Sequence, residues 1–136
     1  MRYRRLSYRY AVVVQSGGMS PFGDLWESER LRVLVQGRWR PDADAYETGR
    51  AIEIVVDLAG VGEDDYEVQL FEDALVVEGW RHLPASEDAR YHAAGIRQGP
   101  FRVELPLSAP VDAERVEAHY DRGLLRITLP KRREVR

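Results

Sequence analysis

The stretch Ala118–Pro130, AHYDRGLLRITLP, predicts a β-hairpin. Its turn is Asp121-Arg122-Gly123, because glycine takes the positive φ values that tight turns require. After the turn, four apolar residues interrupted by two polar ones form a strand pattern that Pro130 ends. These four residues are Leu124, Leu125, Ile127 and Leu129. Taken alone, the pattern fits any β-hairpin.

The chain from Trp39 onward continues the pattern of strands and turns seen in this hairpin. Short runs of strand-forming residues are separated by turn signals about every 8–12 residues, which is typical of an all-β sandwich. A polar connection, residues 81–90, interrupts the series. The predicted strands are Asp44–Glu47, Ala51–Leu58, Tyr66–Phe71, Ala74–Trp80, Tyr91–Ile96, Phe101–Leu107, Val116–Tyr120 and Leu124–Leu129.

Residues 1–38 read as a separate N-terminal arm, rich in arginine, tyrosine and other large side chains. Leu6, Tyr8, Tyr10 and Val12 recur at period two, which predicts a strand through Val14. A Gly/Ser segment and Pro21 break the pattern. For residues 24–35 a helix with one apolar side and an alternating strand fit equally well, so both stay open.

Charge is distributed unevenly along the chain. Residues 1–38 carry seven arginines against three acids, residues 39–130 carry nine arginines against nineteen acids, and residues 131–136 have a net charge of +3. The basic arm could bind nucleic acid through phosphate contacts. The plainer interpretation is that it lies against an acidic surface of its own chain or of a partner, so we do not expect nucleic acid as a partner.

The sequence also bears on location and catalysis. No apolar run approaches the roughly 18 residues that span a bilayer, so we expect a cytoplasmic protein without a membrane partner. It has no cysteine, which excludes disulfides and fits a reducing compartment. His82, His92 and His119 lack metal-ligand spacing, and the acids at 63–65 lack the pattern of a calcium loop. No nucleophile, base and orienting group can be assembled, so we expect no enzyme, metal or cofactor.

Several motifs in this order resemble the small heat-shock proteins, the α-crystallin domain family. They are Trp39-x-Pro41, Tyr46-Glu47, Asp57-Leu58-Ala59-Gly60-Val61, Ala74-Leu75-Val76-Val77-Glu78-Gly79, Tyr91-His92, Gly99-Pro100-Phe101, and Ala118 with Gly123 and Leu125 before Leu129-Pro130-Lys131. The chain departs from the family where Gly95-Ile96 replaces a Glu-Arg pair and where Val103 replaces an arginine. An Ile-x-Ile or Ile-x-Val motif is missing from the tail.

The resemblance implies an immunoglobulin-like β-sandwich of the α-crystallin domain type over residues 39–130, with an N-terminal arm, 1–38, and a short basic tail, 131–136. It implies a groove between two edge strands, whose floor would be Val68, Leu70, Val116 and Ala118. The alternative is that these side chains point into the core. A homodimer would form through exchange of the segment around Tyr91–Arg97, with an interface that includes Trp39, Tyr46, Tyr91, His92 and Arg97.

The function implied is that of a stress-response chaperone, an ATP-independent holdase that binds partly unfolded proteins. Its client-binding residues would lie in the arm: Tyr3, Leu6, Tyr8, Tyr10, Phe22, Leu25 and Trp26. A second hypothesis is a co-chaperone-like adaptor that binds one folded partner. The tail offers one apolar residue, Val135, between charges, so we expect the assembly to stop near the dimer, with larger oligomers as the alternative.

Overall fold

The structure, a computed structural model, describes residues 2–5, 12–15 and 38–133, which form two antiparallel sheets. The strands are β1 Arg2–Arg5, β2 Val12–Gln15, β3 Ala43–Glu47, β4 Ala51–Asp57, β5 Tyr66–Leu70, β6 Ala74–Arg81, β7 Gly99–Pro106, β8 Glu117–Asp121 and β9 Leu124–Pro130. A 3-10 turn, Ala113–Arg115, precedes β8. One sheet has the order β1-β2-β5-β6-β7, and the other has the order β3-β4-β9-β8.

The hairpin predicted within Ala118–Pro130 forms as β8 and β9. Asp121 pairs with Leu124. The two turn residues between them both have positive φ, 51° at Arg122 and 86° at Gly123, which is the geometry of a type I′ turn. A Cβ atom on Gly123 would lie 2.9 Å from Cα of Ala59, so this position requires glycine for space as well as for conformation.

The core lies between the two sheets and follows the alternation in the sequence. Phe101, Val103 and Leu105 are buried on β7, and the residues between them are partly or fully exposed. The other large buried side chains come from both sheets and include Ile54, Val56, Leu75, Val77, Leu125, Ile127 and Leu129. The prediction of an all-β sandwich is therefore confirmed.

Seven of the eight strands predicted from residue 44 onward form within two residues of their expected bounds. The prediction of a strand at Tyr91–Ile96 is wrong for the single chain, since residues 82–98 have no regular secondary structure. A strand needs a neighbour for its backbone hydrogen bonds, and the described part of the chain supplies none here.

The described residues of the arm form two strands, β1 and β2, in which Arg5 pairs with Val12 in antiparallel register. Val12–Val14 of the strand predicted through Val14 lie in β2, and its earlier residues, from Leu6, lie outside the described residues. β2 pairs in turn with β5. The choice between helix and strand for residues 24–35 falls outside the described residues.

Candidate binding surfaces

Three of the four residues expected to floor the groove lie on β5 and β8, and the fourth, Val116, directly precedes β8. The two strands face each other across the sandwich. The rings of Tyr66 on β5 and Tyr120 on β8 are in edge-to-face contact with centroids 5.6 Å apart. Val68, Leu70 and Val116 are only 1%, 2% and 6% exposed, and Ala118 packs against the same core. Their side chains thus face the core, the alternative that the sequence left open. Partner binding at this side remains a prediction.

The two strands at this side differ at their edges. β8 ends the four-stranded sheet, and no other strand of the described residues pairs with its outer edge. The outer edge of β5 is covered by β2, in a register that places Val12 opposite Leu70 and Val14 opposite Val68. This pairing could not be predicted from the amino-acid pattern, because alternation identifies the faces of a strand and not its neighbours.

Tyr120 fixes β8 to the loop after β4. Its hydroxyl lies 2.7 Å from the carbonyl oxygens of both Leu58 and Val61, so it can donate to either one. Burial raises the pKa of the Tyr120 phenol, which keeps it protonated as a donor. The hydroxyl thus ties β8 to the loop between β4 and β5.

Trp39, expected at a dimer interface, makes its contacts within the chain. Its ring packs on Phe101 at 5.2 Å between centroids, and its Nε1 donates to the carbonyl of Gly99 at 3.1 Å. The guanidinium of Arg81 lies 4.4 Å from the centroid of its ring, in cation–π geometry. These contacts attach the segment before β3 to β7, and a further role at an interface stays a prediction.

The other expected interface residues are exposed. Tyr46 is 56% exposed on β3, and Tyr91 is 62% exposed in the segment 82–98, which we call the excursion. His92 and Arg97 are exposed there too. Ile96, which the expected interface does not name, is a further large apolar side chain on the excursion and is 69% exposed.

The outer edge of β3 has no strand partner within residues 2–5, 12–15 and 38–133. The outward groups on this edge can be identified. Thr48 N–H donates to Ala51 and Asp57 N–H donates to Asp42 O, so even-numbered residues of this strand face β4. Backbone groups alternate in direction along a strand, which leaves those of Ala43, Ala45 and Glu47 pointing outward.

Glu47 links this edge to the start of the tail. Lys131 Nζ lies 2.6 Å from its carboxylate, and the hydroxyl of Ser108 donates to it as well. These hydrogen bonds and the lysine charge lower the pKa of Glu47. Lys131 also bridges to Val111, so the first tail residue belongs to the domain.

The described residues hold no group of three or more histidines and acids positioned to bind a metal ion. His82 stacks on Trp80 and lies 3.9 Å from a carboxylate oxygen of Asp65, whereas His92 and His119 are exposed. In this same part of the chain, no helix is long and apolar enough to cross a membrane.

Comparison with known proteins identifies the class to which this sandwich belongs. The structure matches a small heat-shock protein from Xylella fastidiosa with a TM-score of 0.65 and 28% identity, covering 74% of this chain and 93% of that one. It matches hspA from Xanthomonas axonopodis with a TM-score of 0.64 and 29% identity, over 71% and 97% of the two chains. The fold is thus that of the small heat-shock proteins.

The sequence comparisons assign the family. The profile of the Hsp20/alpha crystallin family matches residues 44–136. The chain is 33% identical over 108 residues to a probable 15 kDa heat shock protein of Leptospira interrogans, covering 79% of this chain and 78% of the relative. It is 30% identical over 107 residues to heat shock protein 16 of Schizosaccharomyces pombe, over 76% and 75%. The chain belongs to the Hsp20/alpha crystallin family.

Membership of this family defines the general function of the chain. Small heat-shock proteins are chaperones and not enzymes; they form oligomers and bind unfolded proteins. The chain is accordingly a chaperone of the stress response, and the predicted family and the absence of an enzymatic role are confirmed.

Proposed function

We propose that this protein is an ATP-independent holdase, which binds partly unfolded clients and prevents their aggregation. The observation that carries the proposal is the edge strand β8, which the described residues leave without an outer partner. Unfolded chains expose apolar surface and unpaired backbone groups, and an edge strand can bind both at once.

The arm is proposed to supply further client contacts. Leu6, Tyr8, Tyr10, Phe22, Leu25 and Trp26 lie outside the described residues, and Tyr3 lies in β1, for which only the backbone is described. Aromatic side chains bury a large area for few rotatable bonds, which suits a surface that must accept many clients. The division into arm 1–38, domain 39–130 and tail 131–136 belongs to this proposal.

The working unit is proposed to be a homodimer in which the excursion of each subunit pairs with β3 of its partner. The exposure of Tyr46 on β3 and of Tyr91 and Ile96 on the excursion supports this arrangement, since pairing would bury all three. A cytoplasmic location is part of the same proposal and rests on the cysteine-free sequence.

Light scattering of a heat-aggregating enzyme tests the holdase proposal. At one chain per client and without ATP, we expect the scattering of several unrelated clients to fall. Unchanged scattering for every client would contradict the proposal. If the chain binds one folded partner and protects no other protein, that result would favour the adaptor hypothesis instead.

A further inference from the structure

We propose that Arg81 positions the excursion for dimer formation: its guanidinium lies over the ring of Trp39 and holds the returning end of the excursion close to the end of β6. The inference rests on the proposed homodimer, in which the excursion of each subunit pairs with β3 of the other. It assigns to one residue, at the base of the excursion, the direction in which this segment leaves the sandwich.

The excursion has few contacts that could give it a direction of its own. Every residue from Pro84 to Gln98 is exposed. Among the described residues, the hydrogen bonds of this stretch are those of a local turn at 86–89 and one bond to the sandwich. In that bond, the guanidinium of Arg81 donates to the carbonyl oxygen of Arg97 at 2.9 Å. The direction of the excursion is therefore determined at its base.

Alternation along β6 places the Arg81 side chain at the end of the core. Leu75 and Val77 face the core and are fully buried. Gly79 follows on this face, and a Cβ atom on it would lie 2.6 Å from the ring of Phe101. Side chains alternate between the two faces of a strand, so Arg81 continues the same row. It is the last residue of β6, and the excursion begins directly after it.

Trp39 is a fixed platform for this guanidinium. Its backbone N–H donates to Pro100 O at 3.2 Å, and its carbonyl oxygen accepts from Arg102 N–H at 3.0 Å. Its indole Nε1 donates to the carbonyl oxygen of Gly99 at 3.1 Å. Gly99 begins β7 with a φ of 87°, so the returning chain enters the strand through a conformation that favours glycine. Trp39 thus contacts the end of β6 through its ring and the start of β7 through its hydrogen bonds.

Arginine suits this place because its planar group makes two contacts at once. The guanidinium lies 4.4 Å from the centroid of the Trp39 ring while it donates to Arg97. Its Nε is buried and has no acceptor among the described residues. A buried donor without an acceptor lowers the stability of a folded chain, so the stability of the single chain does not account for arginine here. The contact that does account for it is the one to the excursion.

The kinetics of association separate a positioning role from a contact role. In Arg81→Met the side chain keeps its packing on Trp39 but loses the donor to Arg97. We expect the dissociation constant of the dimer to rise at least about tenfold, because only a fraction of the chains then presents the excursion correctly. The loss should lie in the association rate, since the residues that would meet across the interface are unchanged. Mixing of donor- and acceptor-labelled chains, followed by a chase with unlabelled chain, measures both rates.

Arg115→Met is the matched control, because Arg115 is exposed and lies outside both β3 and the excursion. Its rate constants should equal those of the wild type. Arg81→Lys keeps the charge without the planar group, so it should resemble Arg81→Met. A lysine variant that associates like the wild type would overturn the proposal, because attraction between charges would then explain the effect.

Limited digestion with trypsin tests the bond at the base directly on the full chain. Trypsin cleaves after arginine, and the carbonyl group that Arg81 holds belongs to the bond cleaved after Arg97. Arg90 is exposed in the same excursion and serves as an internal reference. In Arg81→Met, cleavage after Arg97 relative to Arg90 should rise at least about threefold, because proteolysis follows the population of the open form. An unchanged ratio would overturn the proposal.

The outcomes for the dimer and for Arg81 are distinguishable. If the wild type is a dimer and Arg81→Met has the same dissociation constant, the homodimer stands and the positioning role is wrong. If Arg81→Met loses the native circular dichroism spectrum, Arg81 is needed for folding and the positioning role is wrong as well. A wild type that is monomeric at every concentration would overturn both the homodimer and the role of Arg81, while client light scattering would still decide the holdase proposal.

Discussion

The guanidinium of Arg38 donates a 2.7 Å hydrogen bond to Oε2 of Glu78, and only 2% of the Glu78 side chain is exposed. The two residues stand at the end of the arm and in the middle of β6. Glu78 lies on the outer side of its strand, next to Val76, which is also fully buried. The ion pair thus joins the arm to the face of the five-stranded sheet that lies away from the core.

Arg38→Met should destabilise the protein by about 1–3 kcal/mol, because it removes a charged donor from a buried carboxylate. Arg40→Met is the matched control, since Arg40 is exposed. Adding Glu78→Met to Arg38→Met should recover most of the loss, because the buried charge is then gone as well. Urea unfolding measures all four proteins, and equal midpoints for Arg38→Met and Arg40→Met would contradict the prediction.

Gly123→Ala should cost about 1–3 kcal/mol, because alanine at this positive φ is strained and its Cβ would lie 2.9 Å from Cα of Ala59. Gly49→Ala is the control, since nothing lies within 4 Å of a Cβ there. Thermal unfolding should show a lower midpoint for the first variant and a change near zero for the second. The reverse order would mean that the β8–β9 turn is not the tight one described.

The strands were predictable where burial alternates strictly. Phe101, Val103 and Leu105 identify β7 from the sequence alone, because each apolar residue has a polar neighbour on the opposite face. The same rule could not orient Val68 and Leu70 toward core or groove, since period two defines two faces without saying which one is covered. Their burial became clear only when β5 was placed opposite β8.

Contacts between distant segments were beyond sequence reasoning. The ion pair of Arg38 with Glu78 and the pairing of β2 with β5 join residues that no local pattern relates. The turn shows a similar limit. Glycine at position 123 predicts a positive φ, whereas arginine at position 122 does not, although Arg122 also has a positive φ. The residues of the excursion at Tyr91–Ile96 suit a strand, but a strand forms only where a neighbouring strand supplies its backbone hydrogen bonds.

Lys131→Met should reduce the loss of stability on acidification. Hydrogen bonds from Lys131 and Ser108 lower the pKa of Glu47 below its ordinary value of 4.5. Because the pKa of Glu47 is lower in the folded chain than in the unfolded chain, the stability that ionised Glu47 contributes is fully present above about pH 4.5. This stability is lost as the pH falls through the pKa of Glu47 in the folded chain. The difference in stability between the wild type and Lys131→Met should therefore shrink from about pH 6 to about pH 3.

The control for this pH dependence is Arg132→Met, because Arg132 is exposed and is not part of the Glu47 cluster. Its difference from the wild type should stay constant over the same range. Urea unfolding at several pH values provides the data. A difference for Lys131→Met that is independent of pH would show that Glu47 does not depend on the lysine.

Removing residues 1–37 should leave a folded domain and abolish most client protection. The cut keeps Arg38, which donates to the buried carboxylate of Glu78. The shortened chain also exposes the edge of β5, so it should self-associate more than the full chain. Circular dichroism checks the fold and client light scattering checks the function; full protection by the shortened chain would place client binding in the sandwich alone.

Ala45→Pro should convert the proposed homodimer into monomers while leaving the sandwich intact. The backbone N–H of Ala45 points away from β4, so proline removes no hydrogen bond inside the chain, and prolines are tolerated at such outward positions of edge strands. The same change removes the donor that the excursion of a partner would need and places a ring in its path.

Ala45→Val is the matched control, because it keeps the N–H and favours the strand. Size exclusion coupled to light scattering should give a mass near two chains for the wild type and Ala45→Val and near one chain for Ala45→Pro. Replacing residues 83–96 by a short Gly/Ser bridge should have the same effect from the other side of the interface. A dimer that survives both changes would place the interface elsewhere, and a discrete wild-type particle of twelve or more chains would show that assembly continues beyond the dimer.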